Sequence, residues 1–194
     1  ILLLAFTSLS FGLKVNTKEL QTAKKEGHFI NYQGPAQKKD SSFAVQYIGT
    51  RLSRVSKNNT IFPYYKKYSV IRAISDEEPE KFNADIFIIE NNAKVNHIQD
   101  LRMILTGFFK GRYGYSQKDA QTLALWTTYY NAVYRKDLEY FASVYKKNVM
   151  RFLSTQNAGI ALHYKEWAGK TRMLIPLTQE LQESNLNALN TSNT

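Results

Sequence analysis

YSVIRAISDEEPEKFNADIFII, residues 68–89, decides the fold. Its two ends, YSVIRAI (68–74) and ADIFII (84–89), are rich in β-branched and aromatic residues, the composition of strands buried in a sheet. Between them DEEPEKFN is acidic, polar and broken by Pro79, so it reads as a solvated connection. Two strands at the centre of the chain therefore fix a β component, and helical periodicity dominates the segments around them.

Downstream, the period changes at Val95. Ile98, Leu101, Leu105 and Phe108 fall on one helix face until Gly111 and Gly114 interrupt it. Ser116 with Asp119 caps a second helix, on which Ala120, Leu123, Thr127, Tyr130 and Tyr134 share a side. Asp137 opens a third, with Leu138, Phe141, Ala142, Tyr145 and Val149 inward. The short join between these last two predicts an antiparallel pair of long helices. Residues 157–168 read as a final helix closed by Gly169. RMLIPL (172–177) reads as a strand that Pro176 confines to an edge or an end.

Upstream, Ala44, Ile48, Leu52 and Val55 make a single stripe and predict a helix over 42–55. SKNNT (56–60) is a loop. Asn16 and Glu19 have capping-box spacing ahead of a short helix ending near Gly27, and Gly34-Pro35 breaks the chain. The sum is an α+β fold, a helix-dominated single domain with a small sheet of two or three strands.

The 194 residues suit one domain with appendages. Apolar types make up 43% and charged types 22%, which excludes a disordered polyelectrolyte and a membrane bundle. A net charge of +10 and a pI near 9.6 attract polyanions without choosing among nucleic acid, lipid headgroups, cell-wall polymers and sulfated glycans. The absence of cysteine excludes disulfides, thiolate chemistry and lipid attachment at a cysteine.

ILLLAFTSLSF (1–11) is apolar and uncharged, and Ser10 and Gly12 supply the small residues of a signal-peptidase site. Residues 1–12 are read as a partial signal peptide lacking its initiator methionine, 13–178 as the globular domain, and 179–194 as a polar linker towards a further carboxy-terminal region. The apolar run meets Lys14 too soon for the roughly 20 residues of a transmembrane helix.

Few residues suggest chemistry. WAGKT (167–171) ends like a phosphate-binding loop, but the glycine that motif needs would stand where Tyr164 does; a helix stop at Gly169 explains the same residues. His163 and Glu166 share a helical side but lack a third metal ligand. Asp76, Glu77, Glu78 and Glu80 lack the alternation and glycine of a calcium loop, and no nucleophile elbow occurs. An enzyme would need Glu166, His163 and Asp137 to meet in one cleft. Tyr129, Tyr130, Tyr134, Tyr140 and Tyr145 fall at helix spacing and read as packing residues. The most suggestive surface is FPYYKKY (62–68), with rings beside ammonium groups; Arg51, Arg54, Lys57, Tyr64, Tyr65, Lys66 and Lys67 form a candidate patch for an anionic ligand.

FINYQGP (29–35), LRMILTG (101–107), YNAVYRKDLEYF (130–141), and NAGI, YKEWAGKT and IPL within 157–177 keep their order along the chain. In these segments the sequence resembles the amino-terminal region of the 83/100-kDa antigen family of Borrelia and related spirochaetes. The resemblance implies an exported, immunogenic envelope protein in which a long, charged, coiled-coil region follows this domain. It carries no active site, cofactor or metal. The expected role is a non-enzymatic interaction or scaffold module in the periplasm or cell envelope, with envelope proteins as partners and nucleic acid disfavoured by export. The alternative is a surface adhesin that binds acidic host glycans or matrix proteins through the basic and aromatic patch.

Overall fold

A computed structural model describes residues 29–32, 34 and 39–177, with the side chains of 39–42 set aside. The predicted signal peptide, the helix before Gly27 and the linker from 179 lie outside the described residues. The elements are α1 (Lys39–Leu52), β1 (Ile61–Tyr64), β2 (Tyr68–Ala73), β3 (Asn83–Ile89), α2 (Ile98–Tyr113), α3 (Gln117–Val133), α4 (Leu138–Val144), α5 (Lys147–Met150) and β4 (Thr171–Leu177), with a 3-10 turn at Tyr164–Glu166. The fold is α+β.

The sheet has four antiparallel strands in the order β1-β2-β3-β4, rather than two or three. The additional strand is β1, of which residues 62–64 fall within the FPYYKKY segment. Alternation along the strands divides the core. Tyr68, Val70, Phe87, Ile89, Met173 and Ile175 meet α1, α2 and α3 on one face. Ile71, Ala73, Ile86, Ile88 and Leu174 meet Phe141, Tyr145 and Val149 on the other.

Both sheet edges are blunted. Lys67 N donates to Tyr64 O at 2.9 Å, so Phe62 and Tyr64 direct their backbone groups at β2 and Pro63 holds the outward position, where its missing N–H costs nothing. On β4 the outward groups of Arg172 pair with Asn157 O and Gly159 N, and those of Leu174 pair with the Asn131 side chain. Pro176 stands at the next outward position, which fits the edge placement its presence predicted.

The helix α1 ends three residues earlier than its stripe suggested, although Val55 is still buried. It crosses α2 at backbone distance: a Cβ on Gly49 would sit 1.7 Å from Ile104 O, and one on Gly107 would sit 1.9 Å from Gln46 O. Gly111 does not interrupt α2, because its lack of a side chain leaves room for Ser53. Gly114, with φ of 70°, ends the helix as expected and donates to Lys110 O. The Ser116 cap of α3 is present, with Ser116 Oγ accepting from Asp119 N at 3.1 Å.

Of two further expected helices, one is broken and one is absent. The single helix from Asp137 breaks at Tyr145, whose backbone is extended, leaving α4 and α5; Ala142 is exposed. Phe82 takes the chain there, donating to Val144 O and accepting from Lys146 N, each at about 3 Å. A long antiparallel pair therefore does not form, and α3 packs on α2 instead. In 157–168 the backbone bonds other parts of the chain: Asn157 and Gly159 pair with Arg172 on the edge of β4, Ile160 N with Asn131 O, and Leu162 and Tyr164 with Ile30. Gly159 at φ 82° turns it along that edge, and only one 3-10 turn survives before Gly169. Trp167 is fully buried, its Nε1 donating to Ala161 O at 2.7 Å.

Candidate binding face

The hairpin joining β1 to β2 places Tyr65 and Lys66 at its tip with φ of 46° and 54°. Left-handed backbone disfavours side chains with a Cβ by roughly 1 kcal/mol per residue, and glycine or asparagine normally fills such turns. Here a tyrosine and a lysine occupy both positions. Tyr65 is 80% exposed, its ring set edge-on to Tyr64 at 4.8 Å. Such strain is kept where the side chains have work to do.

Beside this turn lies a groove of about 280 Å³ lined by Ile61, Pro63, Lys66, Ser69, Glu90, Asn91 and Asn92. Ile61 and Pro63 come from the face of β1 that α4 and α5 do not reach, and Ile61 is 55% exposed. Ser69 Oγ donates to Glu90 Oε1 at 2.7 Å. Among the described residues Lys66, Asn91 and Asn92 make no side-chain hydrogen bond or ion pair, and Glu90 Oε2 has no donor.

The residues of the predicted basic patch separate into two groups. Arg51, Arg54 and Lys57 are exposed near the start of β1, where Asn58 and Asn59 pair with Arg72. Tyr65, Lys66 and Lys67 are exposed at the opposite end, beside Tyr68 and Glu90. The six residues of β2 separate them, about 15 Å at the strand rise. Tyr64 is half-buried and packs into the core under α1 and α2. Among the described residues none of the five cations, Arg51, Arg54, Lys57, Lys66 and Lys67, forms an ion pair.

The remaining candidates are tied into the scaffold. His163 Nδ1 accepts from Lys165 N, His97 Nδ1 from Gln99 N, and Asp137 Oδ1 from Tyr140 N, so each caps a turn or helix. Among the described residues no three His, Asp or Glu gather as a metal site. Within the acidic run, Glu78 accepts from Lys147 N at 2.6 Å and pairs with Lys81 at 3.2 Å. The bond from Lys147 N, with Lys81 assisting, holds its carboxyl below the usual range. WAGKT follows the 3-10 turn and leads into β4; Gly169 lies against Asn91. The tyrosines pack as expected: Tyr134 stacks on Tyr140 at 3.5 Å, and the hydroxyls of Tyr130 and Tyr145 meet at 3.0 Å. Burial raises the pKa of both.

One polar centre went unread. Arg72 and Asp85, opposite each other on β2 and β3, form a bidentate pair at 2.9 Å under α2, joined by the Tyr113 hydroxyl. Arg112 donates from the same helix to Val55 O. Burial pushes the Tyr113 hydroxyl well up, with the Asp85 charge adding to the effect, while burial and the Arg72 charge push Arg112 down. The signal was available: each apolar strand of residues 68–89 contains one charge, and the two are opposite in sign.

No helix among the described residues is long and apolar enough to cross a membrane. No curated protein and no solved structure matches the chain. A family model does, that of the Borrelia P83/100 protein, over residues 17–193. That match takes in every described element, from the 29–32 segment through β4, and on it the chain belongs to the Borrelia P83/100 family, the 83/100-kDa antigens its ordered segments resemble.

Proposed function

We propose that this domain is a non-enzymatic interaction module of an exported envelope antigen, and that its contact face is the β1–β2 hairpin with the adjoining groove. The observation that carries the reading is the strained, exposed Tyr65–Lys66 turn beside side chains that make no bonds within the described molecule. The commitment of His163 and Asp137 to backbone caps favours binding over catalysis. The basic family member is positioned in the periplasm or envelope by export, with its partners among envelope proteins.

The test is a photo-crosslinking side chain at position 65 in living cells, with position 118, on the exposed start of α3, as control. A discrete adduct with one identified protein or polymer from 65 and none from 118 is expected. Equal adducts from both positions, or none from either, sink the assignment of the face.

A second reading has its own support. The five exposed, unpaired cations favour a surface adhesin that engages acidic glycans or matrix proteins. Protease shaving of intact cells separates the two: protection of the protein excludes the adhesin, and its loss excludes the periplasmic module.

A further inference from the structure

The chemistry of the groove narrows what it can hold. Its lining carries one cation, Lys66, and one anion, Glu90, so the two charges cancel at the site even though the chain as a whole carries +10. A polyanion gains little from such a lining. An extended peptide gains little either, because Pro63 removes the outward N–H that strand addition needs and β1 is four residues long.

What remains is a platform and a perimeter. Ile61 and Pro63 offer an apolar floor on the sheet face. Around them stand the two amides of Asn91 and Asn92, the Lys66 ammonium and the carboxylate of Glu90. Each amide both donates and accepts, the ammonium only donates, and the ionised carboxylate only accepts. Ser69 occupies one carboxylate oxygen and fixes that group, leaving the other without a donor among the described residues. A ligand that matches this set has one flat apolar face and a rim of hydroxyls that donate and accept in turn. A pyranose ring has that form.

We infer that the groove beside the Tyr65–Lys66 turn is a binding site for an uncharged saccharide, with Ile61 and Pro63 under the ring and Lys66, Glu90, Asn91 and Asn92 on its hydroxyls. The inference rests on the hairpin being the contact face, and it names the class of ligand there. An open groove of this size gives weak affinity for one short oligosaccharide and gains from repetition along a polymer.

The experiment is a titration of the isotope-labelled domain, carrying all the residues of the sequence, with cellotriose, maltotriose and triacetylchitotriose, followed by amide shifts. At least one of the three is expected to move amides within 61–69 and 90–92, with Kd of order 1 mM. That Kd should change little between about 0.05 and 0.5 M salt. Asn92→Ala and Lys66→Ala should each weaken it by about three- to tenfold without moving the thermal midpoint. Silence of all three sugars at the groove, or shifts confined to other residues, overturns the proposal. A heparin hexasaccharide or an acidic peptide that shifts the groove while the sugars do not overturns the saccharide and leaves the contact face standing. A groove silent to every probe, together with no adduct from position 65, removes both.

Discussion

Arg72 and Asp85 form a buried pair that has no part in the proposed binding. Each is buried beneath α2 and satisfied by the other, so removing one leaves a charge in a medium that cannot solvate it. Asp85→Ala is expected to cost about 3–5 kcal/mol in urea unfolding, while the double replacement Arg72→Met with Asp85→Leu costs far less, because no charge is stranded. A double change as costly as the single one would show that shape, not charge, governs the site. The hairpin tip predicts the opposite sign. Lys66→Gly removes left-handed strain and should stabilise the domain by about 1 kcal/mol while weakening ligand at the groove. A gain in both stability and affinity would contradict a strained contact residue. Glu78 adds a pH dependence. Its carboxyl titrates lower in the folded chain, so its contribution is present above the unfolded value and is lost as pH falls through the folded one. Glu78→Gln should therefore narrow the loss of thermal midpoint on acidification; curves of wild type and variant that stay parallel through the acid range would remove Glu78 from that effect.

The elements that could be read from the sequence were those whose burial follows a single period. β2 and β3 are buried along their whole six and seven residues, and α2 buries one face. The rest depended on partners distant in sequence. β1 is half exposed and contains a proline, so IFPY looks like surface until β2 is placed beside it. Residues 157–168 have helical composition, yet Arg172, Asn131 and Ile30 claim their backbone, and these partners belong to other parts of the chain. The candidate site was legible only in part, for the same reason. FPYYKKY draws attention to Tyr65, Lys66 and Lys67, but Ser69 reads as strand and Glu90, Asn91 and Asn92 follow the end of another without a reading of their own; only the pairing of β2 with β3 sets them round one groove. Two contacts test this level. Asn131→Ala leaves the outward N–H and C=O of Leu174 without partners and should cost about 2–4 kcal/mol, with faster hydrogen exchange at Leu174 as its signature. If exchange there is unchanged, the edge has another cover.

At the scale of the whole molecule, the distribution of charge matters more than its sum. The total of +10 would suggest a polyanion binder, but the exposed cations stand in two groups with β2 between them, and the groove has its own carboxylate. A long acidic chain could reach Lys57 and Lys66 together, whereas a short one meets a single end. Binding of that kind is set by the number of charges and weakens with salt, since the Debye length falls to about 8 Å at physiological ionic strength. On the reading favoured above, heparin retention is general attraction. Reversing Arg54 and Lys57, or Lys66 and Lys67, should then lower the eluting salt concentration by similar amounts, and reversing all four should lower it by about the two effects added. An adhesin built on the hairpin predicts otherwise: the Lys66 and Lys67 change alone abolishes retention, and the Arg54 and Lys57 change has little effect. The domain would then read acidic polymers through its strained turn, and the carboxylate of Glu90 would have to lie outside the contact.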